Sequence, residues 1–359
     1  MNAITVVILI FALLGAADKL FGDRFGLGKE FERGFALFAP MALSMLGMLV
    51  VAPALGVWLT PVFSWFYSVF GIDPSIIPAS LFANDMGGAS LANAVCKSEA
   101  IGKFNAYVVS SMMGCVVSFT IPFALGLVKK HQHRELFFGI LCGITTIPVG
   151  CIVAGLICGI GIGQLLLSLL PLLIFSVLLG TALVLFPNAC IKVFVVFGHI
   201  IRFISLAGLV CAIFTFLTKI PICPDFDSFE NAAFICANAC VTLCGALPFM
   251  FVVSKLLHKP LTVAGGKLGI NADSAAALLS TIVTNATTFG MVDKMNPKGV
   301  ALNSAFAVSA AFALGGHLAF TMALDSAYVA PMIIGKLISG VCAVILALVL
   351  YKEKAEPTA

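Results

Sequence analysis

The sequence predicts an all-α, polytopic membrane protein, and three observations support this prediction. Hydrophobic residues make up 61% of the 359-residue chain and charged residues only 10%. Because a soluble domain carries about 25% charged residues, this chain has too few to cover a water-facing surface. Apolar runs of about 20 residues, the length that crosses a ~30 Å hydrocarbon core as a helix, recur along the chain. Two of these runs are interrupted in the same way, about 200 residues apart, which is the pattern of repeated broken helices in many transporters.

Eleven apolar segments are predicted with a window of about 20 residues. They are residues 3–21, 34–57, 74–96, 104–128, 136–159, 162–186, 193–217, 231–257, 269–292, 299–324 and 327–351. The first segment lacks the positive n-region and the small-residue cleavage site of a signal peptide, so we expect a retained span. An aromatic stretch at 60–67 is suited to the membrane interface.

Segments 74–96 and 269–292 each run apolar for about ten residues and then reach a short, polar, helix-breaking sequence. These sequences are Asn84-Asp85-Met86-Gly87-Gly88 and Thr284-Asn285-Ala286-Thr287-Thr288. Repeated interrupted helices near the bilayer midplane are how many secondary transporters build a substrate site. The sequence therefore predicts a single membrane transport domain, residues 1–359, whose halves at about 34–186 and 193–351 form an inverted repeat.

The distribution of Lys and Arg tests two topologies. Arg202 and Lys336 lie within spans and are set aside. If all eleven segments cross, the remaining cations divide 11 to 7 between the two sides. If segments 74–96 and 269–292 are re-entrant hairpins, the division becomes 15 to 3, with Lys97, Lys103 and Lys219 on the poorer side. The positive-inside rule then favours nine crossings, an outside N-terminus and a cytoplasmic C-terminus, over eleven plain crossings with kinks.

Asp85 is the first candidate for a substrate contact. A carboxylate about twelve residues into an apolar segment is costly, so it should face a cavity or a cation. A small cationic substrate would suit it, and so would a salt bridge to Arg202 or Lys336 or solvation in a vestibule. In the second half, amide and hydroxyl groups at a broken helix can bind an alcohol or ammonium or satisfy freed backbone groups. The candidates of this kind are Asn84, Asn285, Thr284, Thr287 and Thr288, with Asn93 and Asn303 as weaker ones that could also join neighbouring helices.

Three further residues are candidates for a proton or charge relay. His317 could carry a proton because its ordinary pKa lies near neutrality, although a lone helix histidine is more often a hydrogen-bonded packing residue. Arg202 and Lys336 are cations within spans, so each needs a partner. If either neutralises Asp85 in the empty protein, an incoming ammonium must displace it or enter as the neutral amine.

The sequence also excludes several classes of function. It has no CxxC pair, and the three cysteines at 236, 240 and 244 are better explained as small residues filling a helix interface than as a metal site. No Lys/Arg cluster interleaves with aromatics as in a nucleic-acid surface, and the spacing of a P-loop is absent. We therefore predict no metal, no cofactor, no nucleic-acid partner and no enzymatic activity; the bilayer and a small solute are the predicted partners, and a homo-oligomer is compatible with the sequence.

Several motifs from about residue 34 to 345 carry a family resemblance. They are 85–88 (DMGG), 111–114 (SMMG), 121–126 (IPFALG), 146–151 (TIPVGC), 305–315 (AFAVSAAFALG) followed by His317, and 331–337 (PMIIGKL). On these motifs the chain resembles the ethanolamine permeases of bacterial ethanolamine-utilisation operons. The resemblance implies a multi-pass protein of the bacterial cell membrane that admits ethanolamine for breakdown by a cobalamin-dependent lyase in a microcompartment. In that family an acidic residue often precedes the histidine, whereas this chain has Gly316.

The leading hypothesis is thus membrane transport of ethanolamine, as a facilitator or a secondary carrier. An alkylammonium with a pKa near that of lysine is mostly charged at pH 7, so a carboxylate with hydroxyl and amide partners would complement both ends of ethanolamine. The alternatives are a carrier of another small amine or an amino acid, and a non-transporting membrane scaffold or sensor. The short loops and tail leave little surface for the latter.

Overall fold

The computed structural model describes residues 3–352, which form helices and connecting turns and contain no β-strand. This confirms the predicted all-α class. The helices of the first part are α1 (Ala3–Leu20), α2 (Leu27–Ala36), α3 (Phe38–Met41), α4 (Gly47–Trp58), α5 (Thr60–Phe70), α6 (Ile76–Leu81), α7 (Gly88–Val95), α8 (Glu99–Phe104) and α9 (Ile121–Leu127). Those of the second part are α10 (His133–Ile157), α11 (Ile162–Leu185), α12 (Pro187–Thr218), α13 (Phe229–Lys267), α14 (Ala272–Val283), α15 (Asn285–Gly290), α16 (Pro297–Ala310), α17 (Gly316–Leu324) and α18 (Val329–Leu350).

Eight helical stretches in the described part of the chain are long and apolar enough to cross a membrane. They are Ala3–Leu20, Leu27–Trp58, Glu99–Leu127, Lys130–Ile157, Ile162–Leu185, Pro187–Thr218, Phe229–Lys267 and Ser326–Leu350. Their outward faces carry large apolar side chains, among them Leu178 on α11, Phe203 on α12 and Ile345 on α18. Such faces suit contact with lipid, so the chain is a multi-pass membrane protein, as its composition predicts.

The remaining three predicted segments are not continuous helices. Segment 74–96 divides into α6 and α7, segment 269–292 into α14 and α15, and segment 299–324 into α16 and α17. The predicted boundary at residue 257 was wrong, because α13 continues through Pro260 to Lys267. Proline is tolerated in membrane helices, and the Lys255 ammonium lies 4.3 Å from the centre of the Phe251 ring, so its stem stays along the helix.

The stretch from Glu99 to Leu127 is a single helix with an irregular centre. Residues Asn105–Gly114 and Val116–Thr120 have π-helical geometry, whose wider turns usually mark functional positions. The hydroxyl of Ser110 donates to the carbonyl of Ala106 at 2.7 Å, as serine side chains do in membrane helices. Within this stretch, the main-chain carbonyl of Ser111 accepts a hydrogen bond at the site described below.

The helices that surround this irregular stretch pack closely against one another through small residues. A Cβ atom added to Gly150 of α10 would lie 2.3 Å from the Gly335 carbonyl oxygen of α18, and one added to Gly139 would lie 2.3 Å from the Ala301 carbonyl oxygen of α16. Glycine at such positions lets membrane helices approach to backbone contact, where van der Waals packing holds them together. Helices α10, α16 and α18 therefore form a compact core against which the broken segments pack.

In each of the first two broken segments, the residues before the first helix contact the residues after the second. The Asp73 carboxylate, just before α6, accepts hydrogen bonds from the backbone N–H groups of Lys97 and Ser98, just after α7, at 2.9 and 2.8 Å. In the second half, the Asn271 amide, just before α14, donates to the Lys294 carbonyl oxygen at 2.7 Å, beyond α15. The two ends of each segment are therefore held close together by hydrogen bonds.

Candidate functional site

The tip of the first broken segment is built by its own sequence. Helix α6 ends at Leu81, residues 82 and 83 are extended, and Asn84–Met86 form one 3-10 turn. Gly87 then adopts φ 93°, a left-handed conformation that glycine accepts without strain. A Cβ atom on Gly88 would lie 2.2 Å from the Phe82 carbonyl oxygen, so the turn closes only with glycine there. These constraints hold Asp85 at the tip with 23% of its side chain exposed.

Three ionisable side chains meet at this tip. The Nε2 atom of His317 lies 3.8 Å from Oδ1 of Asp85, and its Nδ1 atom lies 3.2 Å from Nζ of Lys336. Lys336 is fully buried and also donates a hydrogen bond to the main-chain carbonyl of Ser111, in the π-helical stretch. His317 is 1% exposed. The imidazole therefore stands between a partly exposed carboxylate and a buried ammonium.

The break between α16 and α17 places His317 in this position. Phe312 adopts φ 63°, and its ring centre lies 5.1 Å from that of His317. Helix α17 begins at Gly316, where an added Cβ atom would lie 3.5 Å from Oδ2 of Asp85. Because Gly316 has no side chain, the space next to the Asp85 carboxylate stays open.

The two tips exchange matching contacts with the helices of the opposite half. The Asn84 amide donates to the Thr321 hydroxyl at 3.2 Å, and the Asn285 amide donates to the Thr120 hydroxyl at 3.1 Å. At the second tip, the hydroxyl of Thr284 accepts from the backbone N–H of Ala286 at 3.2 Å and so caps α15. The Oδ1 atom of Asn285 is buried and accepts no hydrogen bond from the described residues. Whichever way this amide is turned, one of its polar atoms remains free for a ligand.

Comparison with known proteins identifies the family. The family model described as "Ethanolamine utilisation protein, EutH" matches residues 1–350. The chain is 38% identical over 341 residues to the probable ethanolamine permease EutH of Listeria monocytogenes, covering 95% of this chain and 91% of the relative. It is 35% identical to the probable ethanolamine permeases of Salmonella typhimurium and Escherichia coli, covering 98% and 99% of this chain and 95% and 97% of those relatives. No solved structure shows a significant match.

The chain belongs to the EutH family. This confirms the resemblance drawn from its motifs, and membership among proteins named permeases indicates a membrane transporter rather than an enzyme. In this EutH family member, the sequence places charged residues at one tip and neutral ones at the other. The comparisons assign no role to any residue of the chain.

The other candidates from the sequence have local partners. The Asn93 amide donates to the Tyr107 hydroxyl at 3.3 Å, and the Asn303 amide donates to the carbonyls of Ser274 and Gly299 at 2.9 and 3.0 Å. These asparagines thus join the broken segments to their neighbours. Arg202 is exposed on α12 and forms no ion pair with the described residues, so the structure does not bring it to Asp85.

The two remaining threonines of the second tip differ. The Thr288 hydroxyl lies 2.7 Å from that of Thr281 and donates to the Ala277 carbonyl oxygen at 3.2 Å, which ties α15 to α14. Thr287 is exposed. Neither makes a contact across to the first half that would resemble the bond of Asn285.

Sequence reasoning missed Thr120 and Thr321. Each is a buried hydroxyl inside an apolar stretch, and each lies 36 residues after a tip asparagine, Asn84 or Asn285. That equal spacing was a signal available in the sequence. Residues 3–352 hold no group of three or more His, Cys, Asp or Glu side chains arranged for a metal ion. A cavity of about 490 Å³ opens beside Arg134 and Asp293, away from the Asp85 cluster.

Proposed function

We propose that this protein carries ethanolamine across the bacterial cell membrane, with the substrate ammonium bound at Asp85 and the hydroxyl at Asn285. The observation that carries the proposal is the Asp85–His317–Lys336 cluster, a partly exposed carboxylate held at a helix break inside a membrane protein. Ionisable groups at such depth are costly and typically mark the path of a substrate or ion. Membership in the EutH family supports ethanolamine as the solute.

The substrate has two polar ends, and the site offers a complement to each. An ammonium prefers a carboxylate with space beside it, which Asp85 and Gly316 provide. A hydroxyl both donates and accepts, so it pairs with the free polar atom of the Asn285 amide. Adjacent glycines approach both tips. Gly316 lies beside Asp85 of the first tip, and a Cβ atom on Gly315 would lie 2.1 Å from the Val283 carbonyl oxygen at the second tip.

The two broken segments act, in this proposal, as re-entrant hairpins related by an inverted repeat. The bonds at Asp73 and at Asn271 hold the two ends of each segment together, as a hairpin requires. The tip asparagines, Asn84 and Asn285, are separated by 201 residues, and so are their threonine partners. Such reciprocal contacts are what a two-fold relation produces, because each half then makes the same bond to the other.

A pair of close approaches supports the same relation. A Cβ atom on Gly114 would lie 2.0 Å from the Phe82 carbonyl oxygen, and one on Gly315 would lie 2.1 Å from that of Val283. These two contacts are also offset by 201 residues. In both halves, a glycine further along the chain lets the backbone of the tip approach, Gly114 from a helix and Gly315 from the turn before α17.

The proposed topology has nine crossings and two hairpins. The eight long helical stretches and the interrupted pair α16–α17 are the crossings. The charge distribution of 15 to 3 supports an outside N-terminus and a cytoplasmic C-terminus in this topology. Alternating access would follow from movement of one half against the other about the tips, with the site near the midplane.

Uptake of radiolabelled ethanolamine by cells that lack other amine carriers tests the proposal. At limiting substrate and acidic external pH, where the neutral amine is scarce, wild type takes up ethanolamine and Asp85→Asn loses about tenfold or more of the initial rate. This loss corresponds to a charged hydrogen bond of about 1.5–3 kcal/mol. Asp225→Asn, at an exposed aspartate, is the matched control and keeps the wild-type rate.

Two results would contradict the proposal. Equal uptake by wild type and Asp85→Asn at matched expression would remove Asp85 from the substrate path. Absence of wild-type uptake, together with uptake of another small amine or an amino acid, would reassign the substrate.

A further inference from the structure

The tip cluster contains one carboxylate and one resident cation. Lys336 is fully buried and is held by the carbonyl of Ser111 and by Nδ1 of His317. A buried ammonium is tolerated only when hydrogen bonds and a counter-charge compensate for its lost hydration. The counter-charge here is Asp85, on the far side of the imidazole.

One hydrogen bond, between Lys336 and His317, and one longer 3.8 Å separation, between His317 and Asp85, define how a proton can move through this row. An ammonium only donates, so Nδ1 of His317 accepts from Lys336 and its Nε2 carries the hydrogen, facing Asp85. A proton passing from Lys336 to Nδ1 releases the proton on Nε2 towards the partly exposed Asp85. The row thus links the buried ammonium of Lys336 to the partly exposed carboxylate of Asp85.

No other carboxylate or cation among residues 3–352 is paired with this row. The titratable groups that face Lys336 from the neighbouring helices are the thiols of Cys115 in the π-helical stretch and Cys151 on α10. Helix α16 presents the Ser309 hydroxyl, which lies 2.6 Å from that of Ser339. A single negative charge therefore serves whatever positive charge the site holds.

Building on the proposed function, we infer that the site exchanges one substrate ammonium for one proton. A second cation at Asp85 is repelled by the ammonium of Lys336, and this repulsion is weakly screened because Lys336 is fully buried. When an alkylammonium binds at Asp85, the proton of Lys336 leaves through His317 on the side to which the site is open. After substrate release on the other side, a proton from that side returns by the same route to Lys336.

The cycle balances in charge. The site changes from facing outward to facing inward while it holds the substrate cation, neutral Lys336 and ionised Asp85. It returns to facing outward with protonated Lys336 and ionised Asp85. Each turn moves one alkylammonium in and one proton out, so no net charge crosses the membrane. The concentration gradient of the amine and the pH gradient then drive transport, and the membrane potential does not.

Purified protein in proteoliposomes tests this inference. Radiolabelled ethanolamine uptake, corrected for empty liposomes, is measured with and without an inside-negative potential of about 100 mV set by a potassium gradient. Movement of one net charge would let that potential, worth about 2.3 kcal/mol, change the accumulation ratio about 50-fold. We expect no change for wild type, no steady current on a supported membrane, and alkalinisation of the lumen reported by an entrapped pH dye.

Two substitutions separate the resident proton from the site as a whole. Lys336→Met removes the competing cation, so its uptake becomes electrogenic and responds to the potential. Passage of the neutral amine also raises the lumen pH without current, so uptake by Lys336→Met that stays insensitive to the potential would overturn the exchange. Lys336→Arg keeps a cation that cannot deprotonate in proteins, so uptake is blocked. Lys192→Met, at an exposed lysine on α12, behaves as wild type. Wild-type uptake that carries current and follows the potential overturns the exchange, even if neither Lys336 variant folds. Lack of any wild-type uptake overturns the proposed function instead, and the exchange with it.

Discussion

The bonds that join the two ends of the first broken segment depend on Asp73, and replacing it with alanine should loosen the whole first tip. Asp73 is 8% exposed. Its carboxylate accepts hydrogen bonds from the backbone N–H groups of Lys97 and Ser98, which join the two ends of the segment. It also accepts from the backbone N–H and the hydroxyl of Ser75, at 3.0 and 2.6 Å, within the segment. Only the first two bonds join the ends. At about 1.5 kcal/mol for each hydrogen bond to a charged group, their loss costs about 3 kcal/mol.

A thiol-reactive dye provides the assay, because the chain has 12 cysteines and several, such as Cys115 and Cys151, become accessible only on unfolding. Thermal unfolding in detergent should occur several degrees lower for Asp73→Ala than for wild type. Asp73→Asn retains an acceptor without the charge and should fall between them, and Asp225→Asn, at an exposed aspartate, should not shift the transition. A transition of Asp73→Ala within error of wild type would refute the reasoning, since it would mean that the two end-to-end bonds do not hold the hairpin.

Three further predictions concern packing, topology and selectivity. Gly114→Ala should abolish folded protein, since its Cβ atom would lie 2.0 Å from a carbonyl oxygen. Gly126→Ala, whose Cβ atom would have nothing within 4 Å, should unfold at the wild-type temperature or slightly higher. Equal expression and equal melting temperatures for the two variants would contradict this prediction. Single cysteines replacing Lys29 and Lys103 in a background without native cysteines should be labelled from opposite faces, and labelling from one face would exclude the first hairpin. Asn285→Ala should raise the KM for ethanolamine about fivefold, because one neutral hydrogen bond contributes ~1 kcal/mol. Inhibition by ethylamine, which has no hydroxyl, should stay unchanged. An equal loss of apparent affinity for both amines would exclude Asn285 as the hydroxyl partner.

Much of the architecture was readable from composition and from the two interrupted segments. Hydropathy identified the eight long apolar helices of the described residues, and the short polar sequences identified both tips, because a helix in lipid breaks only where its freed backbone groups find partners. The break between α16 and α17 was not anticipated. Helix ends were less predictable. Helix α13 continues past Pro260 although most of that extension is exposed, and its one buried residue, Gly265, lies against Ile270 and Ala275 just beyond the helix.

The composition of the cluster was only partly predictable. Asp85, His317 and Lys336 each attracted attention as an ionisable residue within a span, but Arg202 did so equally. An apolar helix such as α12 gives little sign of which side faces lipid, so the sequence could not choose between the two cations. The structure leaves Arg202 exposed and buries Lys336 beside His317. The carbonyl of Ser111 could not be anticipated, because any residue of an apolar stretch offers a main-chain carbonyl and its sequence does not show which one a buried lysine will reach.

The two tips differ in charge although they make the same bonds, and this difference bears on mechanism. The positions 201 residues from Asp85 and His317 are occupied by Ala286 and Val116, so the charged pair has no counterpart at the second tip. Asn84 and Asn285, by contrast, are matched. If the halves are related as proposed, the matched amides make equivalent contacts on both sides as one half moves against the other. The unmatched charges make the two ends of the site chemically different. Ethanolamine has the same asymmetry, with a cation at one end and a neutral hydroxyl at the other, so the charged tip and the neutral tip together fix which way it lies between the halves.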